Sequence, residues 1–122
     1  LTVYADRQAL AAVLRNLIAN AINAAAGTEN AAVIVTASRS GAKSVVEVRD
    51  NGRGFDSADG EKLFEKFYRL GDELRRSTPG SGLGLYIVRR LVELSNAKIV
   101  AESAGPGQGA KLTVTWPGTR AA

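Results

Sequence analysis

Leu10-Ala-Ala-Val13-Leu14-Arg-Asn16-Leu17-Ile-Ala-Asn20-Ala21-Ile-Asn23-Ala-Ala25 carries two helical patterns at once. Leu10, Val13, Leu14, Leu17, Ala21 and Ala25 recur at three- and four-residue spacing, giving one apolar stripe that must lie on another layer. Asp6 is a good N-cap ahead of this stripe and Gly27 a stop behind it, so the spacing predicts a helix from Arg7 to about Ala26. Beside the apolar stripe, Asn16, Asn20 and Asn23 stand at i, i+4 and i+7 and share one side. Asn is a mediocre helix former, and a merely solvated face more often uses Lys, Glu or Gln. Three surface amides are one reading; a row of neutral oxygens and amides able to hold magnesium and phosphate oxygens is the other.

Outward from that helix, Thr2-Val3-Tyr4 reads as a short strand. Ala32 to Ser38 and Ser44 to Arg49 are β-rich and separated by Arg39-Ser-Gly-Ala-Lys43, which predicts an antiparallel hairpin with a loop of moderate length. Glu61 to Arg69 shows a short helical pattern in which Phe64 and Phe67 are hydrophobic anchors. Leu70 to Ser81 has charges, Thr78-Pro79-Gly80 and little periodicity, which predicts a mobile lid. Leu85, Val88, Leu91 and Val92 define a second amphipathic helix ending near Asn96, and Lys98 to Ser103 with Lys111 to Trp116 form another hairpin. The order strand, helix, hairpin, lid, helix, hairpin predicts a two-layer α/β sandwich: one mixed, mostly antiparallel sheet with its helices on one face.

Two glycine loops interrupt this frame. Asp50-Asn51-Gly52-Arg53-Gly54 begins where a strand ends, and Gly80-Ser81-Gly82-Leu83-Gly84-Leu85 runs into the second helix. Without a Cβ, glycine lets a phosphate approach the main chain, and a helix start offers N–H groups and a positive dipole end. Asp-Asn-Gly also suits a plain turn, but Phe55 is followed by polar residues, not by a partner strand. A carboxylate at a strand end beside a glycine turn can accept a hydrogen bond from an exocyclic amine such as adenine's. The second loop is neither a dinucleotide fingerprint nor a Walker A motif, because it lacks G-x-G-x-x-G spacing and no Gly-Lys-Ser or Gly-Lys-Thr follows.

The composition closes off several chemistries. With no cysteine and no histidine, thiol nucleophiles, structural zinc and the commonest general base are excluded, and any bound metal must be held by oxygen. At 122 residues and 45% hydrophobic, the chain can bury one core, which predicts a single domain over 1–122. No apolar run reaches the roughly 20 residues of a membrane span. Net charge is +4, but the densest basic stretch (Lys62, Lys66, Arg69, Arg75, Arg76) is diluted by Glu65, Asp72 and Glu73, so phosphate binding and solubility account for it without nucleic acid.

Taken together, Asn16-Leu-Ile-Ala-Asn20-Ala-Ile-Asn23, Asp50-Asn-Gly52-Arg-Gly54, Phe64-Glu-Lys-Phe67 and Gly80-Ser-Gly82-Leu-Gly84-Leu resemble the N, G1, F and G2 boxes. These boxes define the catalytic ATP-binding domain of sensor histidine kinases, in the Bergerat-fold (GHKL) superfamily. The resemblance runs from Asp6 to Pro117 with the boxes in family order. It implies that Asn20 coordinates magnesium, that Asn16 lies next to the phosphates, and that Asp50 reads the adenine amino group. Gly52 and Gly54 would let the base pack closely. Gly80, Gly82 and Gly84 would line the phosphate side, Ser81 joining the nucleotide-binding set and Leu83 beginning the helix beneath them, with Tyr68 and Arg69 at the hinge of the ATP lid. Two positions depart from the pattern. Asn23 stands where the family often has a phosphate-binding Lys or Arg, a charge then expected from Arg69, Arg75 or Arg76. Ala110 stands where a Thr or Ser often supports a water-mediated adenine contact.

Related ATPases of the superfamily usually have an acidic base where Asn16 stands. Asn16 takes no proton at physiological pH, so efficient ATP hydrolysis by this domain alone is not expected. What the resemblance implies is transfer of the γ-phosphate to a histidine on a separate dimerisation domain of the same kinase, then to an Asp of a response regulator. The expected parent is a membrane-bound homodimer with this domain in the cytoplasm, and the 122 residues alone would not autophosphorylate. An anti-sigma-factor serine kinase of the same superfamily and a non-catalytic nucleotide or basic binding module are the alternatives.

Overall fold

The computed structural model describes residues 3, 5–65 and 84–118. The expected first strand at Thr2 and Tyr4, the second half of the Glu61–Arg69 segment and the expected lid lie outside the described residues.

Helix α1 spans Arg7–Ala25, and its N-cap Asp6 accepts a hydrogen bond from the Ala9 N–H at 3.0 Å. Val13, Leu17, Ala21 and Ala25 are its buried positions, and Leu10 and Leu14 pack against the same core. Helix α2 spans Gly84–Leu94 and buries Val88 and Val92. It closes with Asn96 in the left-handed region (φ 57), the Ala97 N–H donating to the Val92 carbonyl and the Asn96 N–H to that of Glu93. This paired closure satisfies carbonyls at the helix end that have no partner inside the helix.

Strands β1 (Val33–Ser40), β2 (Lys43–Asp50), β3 (Lys98–Glu102) and β4 (Ala110–Trp116) form one sheet in the order β1-β2-β4-β3, and the three observed pairings are antiparallel. The register sets Val46 opposite Val114, Val48 opposite Leu112 and Ile99 opposite Val114, so these side chains share the face that both helices cover. Trp116, Val114, Val88 and Leu17 lie at its centre, each at most 1% exposed. Burying a side chain of this kind contributes about 1.5–3 kcal/mol. The opposite face carries Glu47, Arg49, Glu102 and Lys111, with Arg49–Glu47 and Lys111–Glu102 ion pairs, and meets solvent.

Two boundaries differ from the sequence expectation. The first hairpin pairs up to Ser40 with Lys43, so its loop is only Gly41-Ala42. Gly41 takes a positive φ of 63°, which lets a two-residue turn follow the strand twist and makes a longer loop unnecessary. The segment after Phe55 forms two short 3-10 turns, Ser57–Asp59 and Glu61–Phe64, with Glu65 already extended, in place of a helix beginning at Glu61. Asp56 caps the first by accepting from the Ala58 N–H. Leu63 and Phe64 are buried, so the anchoring expected of Phe64 is met, while Phe67 lies outside the described residues.

Candidate nucleotide site

Strict alternation along β2 buries Ser44, Val46 and Val48 on the helix side, and the same alternation carries Asp50 there at the end of the strand. A carboxylate thus sits 5% exposed at the rim of an apolar layer. Its Oδ1 accepts the Gly52 N–H at 2.8 Å, and Ala110 on neighbouring β4 stands opposite it in the sheet register. Burial nonetheless pushes the Asp50 carboxyl above its ordinary value of 3.8, against the pull of the Gly52 amide, the Arg53 charge and the Ala110 amide.

The loop after Asp50 is stitched into the protein on both sides. A Cβ at Gly52 would run into the Ala24 carbonyl of α1, and the Arg53 N–H donates to that same carbonyl at 3.0 Å. On the other side, Gly109 N–H donates to Gly52 carbonyl at 3.0 Å and Gly107 N–H to Arg53 carbonyl at 2.7 Å. Gly54 has φ 59°, and a Cβ there would lie 2.9 Å from both the Gly109 carbonyl oxygen and Ser103 Oγ. Both glycines are therefore required by close approach of the protein's own backbone. This refines the expectation that they let a base pack closely, because their Cβ directions are already filled.

Asn16, Asn20 and Asn23 are half-buried along α1. Asn16 Nδ2 donates back to the Ala12 carbonyl at 2.9 Å. Its Oδ1 faces the start of α2, 3.6 Å from where a Cβ at Gly84 would stand. One side of α1 thus meets both the start of α2 and the loop after β2: Asn16 approaches Gly84, and Ala24, eight residues on, touches Gly52. At 1.5 Å rise per residue these contacts are about 12 Å apart. Of the other residues singled out in the sequence, Tyr68, Arg69, Gly80, Ser81, Gly82, Leu83, Arg75 and Arg76 lie outside the described residues.

Three residues gain roles that the sequence did not announce. Asn51 uses its whole carboxamide, Oδ1 accepting from the Ala32 N–H and Nδ2 donating to the Asn30 carbonyl, both at 2.9 Å, so it ties the end of β2 to the approach of β1. Ser103 Oγ accepts from the Phe55 N–H at 3.1 Å and from the Gly105 N–H at 3.2 Å, and lies 2.7 Å from the Gly109 carbonyl to which it donates. Arg89 on α2 makes a two-pronged ion pair with Glu61 (3.1 and 3.4 Å) and stacks over the Phe64 ring, 5.0 Å from its centroid. That pair clamps the second 3-10 turn onto α2. The signal for Asn51 and Ser103 is absent from local sequence, since their partners lie about 20 and 48 residues away.

Among the described residues no group of three or more His, Cys, Asp or Glu side chains could hold a metal ion, and no helix is long and apolar enough to cross a membrane.

Comparison with known proteins agrees with this geometry. Over 118 residues the chain is 38% identical to the sensor-like histidine kinase SenX3 of Mycobacterium bovis, covering 96% of this chain and 28% of that protein. It is 37% identical over 114 residues to the circadian input-output histidine kinase CikA of Synechococcus elongatus, covering 93% of this chain and 15% of that protein. The chain therefore spans well under a third of these relatives. Among solved structures, the catalytic domain of histidine kinase ThkA superposes with a TM-score of 0.75 at 31% identity, over 94% of this chain and 70% of that one. Full-length ShkA in complex with AMPPNP gives 0.78 at 31% identity, over 99% of this chain and 24% of that one. Residues 5–120, nearly the entire length, match the family described as histidine kinase-, DNA gyrase B-, and HSP90-like ATPases, and the chain belongs to that family.

Proposed function

We propose that this domain binds MgATP along one side of α1 and presents the γ-phosphate to a histidine on a separate dimerisation domain of the same two-component sensor kinase. The observation that carries the reading is Asp50: a buried carboxylate, held by the Gly52 amide, at the end of strand β2. A group of that kind is costly to bury and is suited to accept the exocyclic amine of adenine. About 12 Å along α1 from the Gly52 contact, Asn16 and the N-terminus of α2 provide neutral oxygens and helix-end N–H groups for the phosphates. An extended nucleoside triphosphate can bridge the two ends.

The donor chemistry fits magnesium. This ion is commonly held by few protein oxygens together with substrate phosphates and water, so a lone carboxamide suits it without a carboxylate cluster. Asn20 would hold it, and when bound it would neutralise phosphate charge. Asn16, having no acid–base function at neutral pH, orients and does not activate water. The sequence contains no histidine, so the nucleophile has to come from another domain, and phosphoryl transfer depends chiefly on positioning and charge neutralisation. Onward transfer to a response-regulator Asp and a membrane-bound homodimeric parent with this domain in the cytoplasm complete the reading.

Calorimetric titration with a non-hydrolysable ATP analogue tests it. Binding that strengthens with magnesium, and transfer of label from ATP to a histidine-bearing helical fragment added in trans, are the expected results. No binding of nucleotide, or labelling of this chain alone, overturns the proposal.

A further inference from the structure

Ser103 follows β3 on the far side of β4 from Asp50, yet only the Gly109–Ala110 peptide stands between them. Its hydroxyl has one proton and lies 2.7 Å from the Gly109 carbonyl oxygen and 3.1 Å from that of Gly105, so the shorter contact to Gly109 takes the proton. The Gly109 carbonyl and the Ala110 N–H belong to the same planar peptide and point in opposite directions. The carbonyl faces Ser103 on the β3 side, and Ala110 stands opposite Asp50 in the β2–β4 register. Fixing one end of the plane aims the other. The same Oγ also accepts the Phe55 N–H, which follows the glycine loop whose Gly52 amide donates to Asp50. The loop that donates to the carboxylate and the strand residue opposite it thus both belong to segments anchored at one hydroxyl.

We infer that Ser103 is a positioning residue for base recognition, which orients the Gly109–Ala110 peptide and the Asp50–Phe55 loop so that the Asp50 carboxylate meets the 6-amino group of a purine nucleotide. Ser103 makes no contact with the nucleotide itself. Its effect is confined to purines that carry the amine, and it rests on the reading of Asp50 given above.

The test compares ATP with purine riboside triphosphate, which lacks the 6-amino group, in calorimetric titrations of the parent domain, Ser103→Ala, Asp50→Ala and the double variant. Removing the hydroxyl should weaken ATP by about three- to tenfold and leave purine riboside triphosphate within about twofold, so the preference between the two shrinks. In the Asp50→Ala background the same substitution should have no further effect on ATP, because the group it positions is gone. Equal weakening of both nucleotides, no change in either, or additive losses in the double variant would overturn the inference. A parent that binds both nucleotides alike, or an Asp50→Ala variant that keeps full ATP affinity, marks instead a failure of the Asp50 reading. If Ser103→Ala does not melt cooperatively, Ser103→Thr carries the comparison: it keeps the hydroxyl, and a folded threonine variant with the parent's ATP preference supports the inference, whereas one without it refutes it.

Discussion

The two ends of the candidate site are built in opposite ways. Around Asp50, backbone meets backbone: Gly52 presses on Ala24, Gly109 and Gly107 bond the loop, and a single serine hydroxyl closes the corner. Along Asn16, Asn20 and Asn23, half-buried carboxamides stand on a helix, and Asn16 spends its amide on its own backbone while turning its oxygen toward Gly84. The first end is rigid and specific, suited to reading one edge of a base. The second offers neutral oxygens whose partners can be phosphate, cation or water. On the proposed reading, rigidity at one end and adaptable donors at the other would let base recognition and phosphate handling be altered separately.

Five measurements can break or sharpen that contrast. The largest effect belongs to Gly52→Ala, whose new methyl meets a helix carbonyl that cannot swing away; unfolding by denaturant should show a loss of about 3 kcal/mol, with nucleotide binding lost as well. A methyl tolerated there would mean the rigid end is softer than its contacts imply. Next, Asp50→Ala should weaken ATP by about 1.5–3 kcal/mol, or ten- to a hundredfold, with the fold retained.

The parent should also show a pH dependence that this variant lacks. Because burial raises the folded Asp50 pKa above 3.8, folded protein holds that proton to higher pH than unfolded protein does. Its contribution to stability is therefore fully present below 3.8 and is lost as pH rises through the folded value. Binding runs the other way, since a protonated carboxyl is a poorer acceptor, so ATP affinity should fall as pH drops through that same value. Titrations at descending pH check this, with Asp50→Ala correcting for the phosphates' own protonation; identical pH profiles for parent and variant would rule Asp50 out as the base-reading group.

At the adaptable end, Asn20→Ala should cost about 1 kcal/mol of affinity in magnesium and nothing in chelator. An equal loss in both media would assign Asn20 to the phosphates alone. The smallest effect is Arg89→Ala, which removes a partly exposed ion pair and a stacked guanidinium from Phe64; about 0.5–1 kcal/mol of stability should go, read by denaturant unfolding, with affinity unchanged to within twofold.

The layers of the fold were legible because they rest on periodicity. The stripe from Leu10 to Ala25, the β-rich run from Ser44 to Arg49 and the Gly27 and Asn96 stops each show in a short window, and α1, β2 and α2 follow them. What escaped depends on partners far along the chain. Nothing local marks Gly41-Ala42 as the entire first hairpin loop, and nothing near Ser103 reveals that it will bond Phe55. Asn51 read as a turn former, and its carboxamide turned out to join Asn30 and Ala32. In the candidate site, Asp50 and the asparagine stripe were visible as residue types in telling places. The reason for Gly52 and Gly54 was not, since a sequence cannot say whether a missing Cβ makes room for a ligand or for the Ala24 and Gly109 carbonyls.

The contact between Gly52 and Ala24 has a geometric corollary for the helix that leads to it. Asn16 and Ala24 are held in phase by two and a fraction turns of α1, one end facing Gly84 and the other Gly52. Inserting or deleting a single residue between them would rotate one set of contacts by about 100° relative to the other and swing the asparagines away from the loop. The segment from Asn16 to Ala24 can therefore vary in side chains, but its length is locked.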